Sequence, residues 1–202
     1  MSEKLQFLET IKVVDGVFVH PELNLQRMKQ TMDEAFHTSV SDSFFEDLAI
    51  PVDMRRGVVK CRILYGASVD EIGFQPYTCR KVSSLKLIDG WNIDYSRKYA
   101  DRSALLKLVA QKGECDDILI IQNGLITDTS YSNVVLSKEG KYYTPKSFLL
   151  NGTCRRRLIA EGKVIPADIS VSDLDSYENL YLINAMISPE DKVVVPVCNI
   201  VR

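Results

Sequence analysis

The sequence predicts an α+β fold in two domains, and three observations predict it. Short runs rich in Val, Ile, Phe and Tyr are joined across Asp15-Gly16, Asn123-Gly124 and Glu139-Gly140, the dipeptides of tight antiparallel hairpins. Stretches of helical period are set among those strands, the clearest at 22–36. The pattern breaks at Asp89-Gly90-Trp-Asn-Ile-Asp94, which reads as a linker between domains at 1–88 and 95–202. A chain of 202 residues suits one large or two small domains.

Element by element, Leu5, Phe7, Ile11 and Val13 alternate with polar neighbours into Asp15-Gly16, and Val17-Phe-Val19 returns. Leu25, Met28, Met32 and Phe36 then recur at intervals of three and four, predicting a helix over 22–36. A second short helix is expected over 41–49, with Ser43 as N-cap and Glu46 three residues on; Pro51 stops it. Strands are expected at 57–66, 72–79 and 82–88, completing an antiparallel sheet with two helices. In the second half a helix is expected to open at Lys98, with Leu105, Leu106, Leu108 and Val109 on its apolar side. Strands follow at 116–121, 125–127, 133–137 and 141–144. A helix over 152–162 comes next, and closing strands at 164–165, 179–184 and 193–197.

Composition excludes several classes. The chain is 46% hydrophobic and 26% charged with a formal net charge of -2, which argues against a nucleic-acid binder. No apolar run reaches membrane-spanning length, and the N-terminus has no signal-peptide core. Five cysteines without a Cys-x-x-Cys pair and only two histidines make a structural zinc site unexpected. Reduced thiols in a cytoplasmic protein are the expectation.

Five segments carry the chemical signal: His20-Pro-Glu-Leu-Asn-Leu-Gln-Arg27, Tyr95-Ser-Arg-Lys98, Asp128-Thr-Ser-Tyr-Ser-Asn133, Tyr143-Thr-Pro145 and Leu149-Leu-Asn-Gly152-Thr-Cys-Arg155. Taken singly, each has an ordinary explanation: a solvated lysine, a turn aspartate, a helix N-terminus capped by Asn151, an exposed helical arginine. In this order and spacing they resemble the class IV aminotransferases. These are pyridoxal-phosphate (PLP) enzymes of fold type IV, including aminodeoxychorismate lyase, D-amino-acid transaminase and branched-chain transaminase.

The resemblance implies the two-domain fold type IV, PLP held by residues of both domains, and a homodimer. It makes Lys98 the Schiff-base lysine, which must lose its proton to attack an aldehyde. Asp128 stands where the family has Glu, as the carboxylate that keeps the pyridine nitrogen protonated, with Asn133 at the matching Asn. Thr153 and Cys154 take the phosphate-binding positions at a helix N-terminus. Arg27 is implied as a further phosphate ligand, its planar fork suited to that group. Phe7-Leu-Glu-Thr-Ile-Lys12 resembles the family's Phe-Glu-Thr-Ile-Arg strand with one residue inserted, and puts Thr10 in a catalytic position. Leu180-Tyr-Leu-Ile-Asn184 resembles the lyase-like form of a phosphate-touching strand, with Ala185 where a hydroxyl residue is usual. Lys60 and Arg62, on one face of a strand, are candidates for substrate carboxylates or a solvated sheet face. The family also carries an N-terminal hairpin before this strand, so a thinner first domain is expected. Three functions stay open: aminodeoxychorismate lyase, amino-acid transaminase, and a non-catalytic PLP-binding protein.

Overall fold

A computed structural model describes residues 5–202. The chain forms two compact units. One takes the chain to Cys79 and again Arg97–Asp101; the other takes Arg80–Ser96 and Arg102–Arg202.

The first unit is an antiparallel sheet with a helix on one face. Its strands are β1 (Phe7–Val14), β2 (Val17–Val19), β3 (Val58–Tyr65) and β4 (Val69–Pro76), in the order β2-β1-β3-β4. The hairpin at Asp15-Gly16 has φ of 49° and 81°, the double left-handed pair that a two-residue turn requires and that Asp-Gly supplies. Alternation along β1 buries Phe7, Ile11 and Val13; on β3 it buries Val59, Cys61, Ile63 and Tyr65. These pack with Met28 and Met32 of α1 (Glu22–Phe36) in one core. Each such side chain contributes about 1.5–3 kcal/mol when removed from water. The opposite parity, Thr10, Lys12, Lys60 and Arg62, is half-buried on the other face. The short helix α2 (Phe44–Asp47) begins after Ser43 as expected, but the Ser43 hydroxyl bonds Asp47 at 2.5 Å instead of capping the backbone.

The second unit contains β5 (Leu85–Asp89), α3 (Ser103–Val109), β6 (Asp117–Gln122), β7 (Leu125–Thr129), β8 (Asn133–Lys138), β9 (Lys141–Pro145), α4 (Thr153–Ala160), β10 (Ile165–Ala167), β11 (Asn179–Ile183), β12 (Val194–Pro196) and β13 (Ile200–Val201). The main path of its sheet runs β10-β9-β8-β7-β6-β5-β13, with β11 pairing β8 and β12. The sheet is mixed: β5 is parallel to β6 and β13, and β10 to β9, while the hairpins are antiparallel.

Two expectations are corrected. The strand expected to close the first unit is β5, and it belongs to the second. It lies between β6 and β13 in register Leu85↔Asp117 through Asp89↔Ile121, against the fully buried Ile118, Leu119 and Ile120. A strand's partner is chosen by tertiary packing, so the break at Asp89-Gly90 marks a turn within the second unit. The helix expected at Lys98 begins at Ser103. Residues 98–100 are held extended against β1: Leu8 N–H donates to Lys98 O at 2.8 Å, Ala100 N–H to Gln6 O at 2.9 Å, and Tyr99 bridges Phe7 with rings 5.3 Å apart. That pairing excludes helical dihedrals until Arg102.

Candidate active site

The site in the second unit is built where its sheet is thinnest. β7 and β8 pair through one residue couple, Asp128↔Asn133, on either side of the Thr129–Ser132 turn. The Asp128 carboxylate is buried there and fully engaged on one oxygen. Oδ2 accepts the N–H groups of Leu149 and Leu150 at 3.1 and 2.9 Å, and Oδ1 accepts Asn133 Nδ2 at 2.7 Å. Asn133 also donates to Leu150 O at 2.8 Å, so strand, turn and loop are one knot. Burial pushes the Asp128 carboxyl up to about 6, although the Leu150, Asn133 and Leu149 hydrogen bonds and the Arg155 charge oppose it. It is therefore mostly ionised at neutral pH, with one acceptor position left on Oδ1.

The loop from β9 opens α4 immediately beside this knot. Gly152 is the N-cap residue, and no side chain caps the helix, so the first N–H groups of α4 face outward from its positive end. Glycine is required by contact, not by conformation: a Cβ there would lie 2.0 Å from Asn133 Oδ1. Thr153 and Cys154 follow, both buried. The Cys154 thiol faces Ile187 O at 3.7 Å, and burial raises its pKa. Asn184 closes the group. Its Nδ2 donates to Ser132 Oγ at 2.9 Å, and its Oδ1 accepts Met186 and Ile187 N–H at 2.8 and 3.0 Å. Five of the residues singled out in the sequence, Asp128, Asn133, Thr153, Cys154 and Asn184, thus lie along one run of contacts.

The others lie in the first unit. Thr10 and Arg62 are directly opposite on β1 and β3, as are Lys12 and Lys60, so these four share the half-buried face of the sheet. Lys98 is half-buried in the segment that pairs with β1. Arg27 is on the opposite, packed side. Its Nε and Nη2 clamp the two oxygens of Glu9 at 2.7 Å each, and Asn24 Nδ2 reaches Glu9 Oε2 at 2.6 Å. Glu9 is completely buried. Neither Glu9 nor Asn24 was singled out from the sequence, yet a signal existed: Glu9 has the parity of Phe7, Ile11 and Val13, a carboxylate in the apolar register of its strand. Arg155 was noted only as the end of a motif, and its burial was not legible.

The donor set of the second unit fits PLP. An uncapped helix N-terminus with a threonine at its first position suits a phosphate, and a buried, ionised carboxylate with a spare lone pair suits a protonated ring nitrogen. Among the described residues no group of three or more His, Cys, Asp or Glu could hold a metal ion, and no helix is long and apolar enough to cross a membrane.

A two-unit α+β architecture with this carboxylate and helix-end arrangement defines an enzyme of fold type IV. The family described as Amino-transferase class IV matches residues 95–200. A Haemophilus influenzae protein named only as uncharacterised is 33% identical over 180 residues, spanning 88% of this chain and 96% of that one. The crystal structure of a Haemophilus somnus protein provisionally described as a 4-amino-4-deoxychorismate lyase is similar at a TM-score of 0.77 and 30% identity, over 92% of this chain and 98% of that chain. A hypothetical aminotransferase from Mycobacterium tuberculosis in PLP-bound form shares the fold at a TM-score of 0.73 and 18% identity, over 90% and 78% of the two chains. The chain belongs to the class IV aminotransferases.

Proposed function

We propose that this protein binds PLP and converts 4-amino-4-deoxychorismate to 4-aminobenzoate and pyruvate. The observation that carries the cofactor assignment is the Asp128 knot beside the uncapped start of α4. The 30% identity to the Haemophilus somnus protein supports the lyase over the transaminase reading. PLP, when bound, supplies an aldehyde carbon for an amine and a sink for the electrons released beside it. Asp128 holds the proton on the ring nitrogen. The N–H groups of Thr153 and Cys154 and the Thr153 hydroxyl bind phosphate, with Asn133 and Asn184 shaping the two turns around them. Arg27, whose Nε and Nη2 are engaged by Glu9, is the further phosphate ligand that the family resemblance implies.

Lys98 would hold the cofactor through its side-chain amine and would serve as the base that takes the ring proton beside the substrate nitrogen. The Thr10 hydroxyl delivers a proton to the departing enolpyruvyl group. Lys60 and Arg62 hold the substrate carboxylates, Arg62 directly across from Thr10. The reaction is an elimination that leaves an aromatic ring, so it balances without an oxo-acid acceptor. We place the enzyme in the cytoplasm as a homodimer.

Borohydride reduction of the purified protein followed by peptide mapping tests the cofactor; a reduced PLP label on Lys98 is expected, and its absence refutes the assignment. Incubation with 4-amino-4-deoxychorismate alone tests the reaction. Pyruvate and 4-aminobenzoate in equal amounts support the lyase. Accumulation of pyridoxamine phosphate that needs an oxo acid to turn over selects an amino-acid transaminase instead. A Lys98 label with no turnover on any amine selects a PLP-binding protein without catalysis.

A further inference from the structure

Arg155 is a buried charge that the chemistry above does not use. It sits in the first turn of α4, 5% exposed, and reaches back over the loop that precedes the helix. Nη2 donates to Pro145 O at 2.8 Å, Nη1 to Asn151 Oδ1 at 3.2 Å, and the guanidinium lies 4.4 Å from the centroid of the Phe148 ring. One side chain therefore ties the start, middle and end of the 145–151 loop. Its Nε, also buried, has no hydrogen-bond partner among the described residues, and no carboxylate there pairs with it directly. Burying a guanidinium carries a desolvation cost, which a residue that only continued a helix would not incur.

The same loop grips Asp128. Leu149 and Leu150 donate their N–H groups to Oδ2, and Leu150 O accepts Asn133, which holds Oδ1. We propose that Arg155 is a positioning residue: it holds the 145–151 loop in the shape that clamps Asp128, and so sets the orientation of the carboxylate assigned to the ring nitrogen. The inference rests on that assignment for its catalytic meaning, but the clamp is a property of this unit alone. Arg155 also acts by charge. The hydrogen bonds from Leu150, Asn133 and Leu149 do most to favour the ionised form of Asp128, and the Arg155 charge on α4 adds to them.

The fork and the charge are separable. Arg155→Met removes both; Arg155→Lys keeps the charge and loses the planar fork. The readouts are the pH titration of the Asp128 carboxyl carbon by ¹³C NMR, assigned with Asp128→Asn, and hydrogen exchange at the Leu149 and Leu150 amides. Arg155→Met should raise the titration midpoint and speed exchange at both amides about tenfold. Arg155→Lys should restore the midpoint and still exchange faster. An Arg155→Met protein with midpoint and exchange unchanged overturns the proposal. Should that variant fail to fold, Arg155→Lys decides: unaltered exchange at both amides overturns it. A protein that shows both effects but takes no borohydride label on Lys98 refutes the cofactor reading and leaves the clamp standing.

Discussion

Arg27→Met leaves the Glu9 carboxylate in the core without its cation. Glu9 is completely buried, and the Arg27 side chain is 12% exposed in their pair. Two charge-assisted hydrogen bonds of 2.7 Å are lost, and among the described residues Asn24 Nδ2 remains on the carboxylate. Each such bond is worth about 1.5–3 kcal/mol, and breaking a buried pair from one side costs about 3–5 kcal/mol. With a urea slope of about 2 kcal/mol per molar, the unfolding midpoint should fall by about 1.5–2.5 M. Far-UV circular dichroism during urea titration reads it. The double variant Glu9→Met/Arg27→Met removes both charges into similar volume and should recover most of the loss. A fall below about 0.5 M for Arg27→Met would refute the assignment of the pair as a desolvated ion pair. A double variant as unstable as the single would place the cost in packing instead. The double variant also tests Arg27 as a phosphate ligand: if that role holds, it should need at least about tenfold more PLP for half-saturation.

Asp128 predicts a pH dependence. Its folded pKa, about 6, is raised from the ordinary 3.8, so the native state binds the proton more tightly. The stabilisation this gives is full below pH 3.8 and is lost as pH rises through 6, about 3 kcal/mol in all. Asp128→Asn should flatten the stability profile between those values; parallel profiles for the two proteins would contradict the burial argument. Gly152→Ala drives a methyl into Asn133 and should cost about 1–3 kcal/mol. Adding Asn133→Ala should give a double-variant cost below the sum of the singles, and strict additivity in urea unfolding would show that the contact is relieved elsewhere. Lys98→Ala should abolish the borohydride-reduced label, measured by mass spectrometry of the 95–102 peptide, while leaving the unfolding free energy from urea titration within about 0.5 kcal/mol of the parent, as for a side chain outside the core.

Much of this molecule was legible because its local signals are strong. Asp15-Gly16, Asn123-Gly124 and Glu139-Gly140 all take the positive φ pair their turns demand, and the helix at 22–36 has the predicted bounds. The order of Asp128, Asn133, Gly152 and Thr153 pointed to a family, and those residues do lie together. The start of α3 was misplaced because 98–100 spend their backbone groups on β1, a partner some ninety residues earlier. A helical period in the side chains carries no information about such a partner.

The sequence by itself determined the alternation of the strands, the turns between them and the family to which the chain belongs. These depend on neighbours a few residues apart and on the identity of a few side chains. Tertiary structure decided that β5 joins the second sheet, that Arg27 spends its fork on Glu9, and that Arg155 folds back to hold the loop beneath Asp128. The physical reason is common to all three. Strand pairing and the compensation of a buried charge require groups far apart in sequence to meet, and only packing brings them within bonding distance.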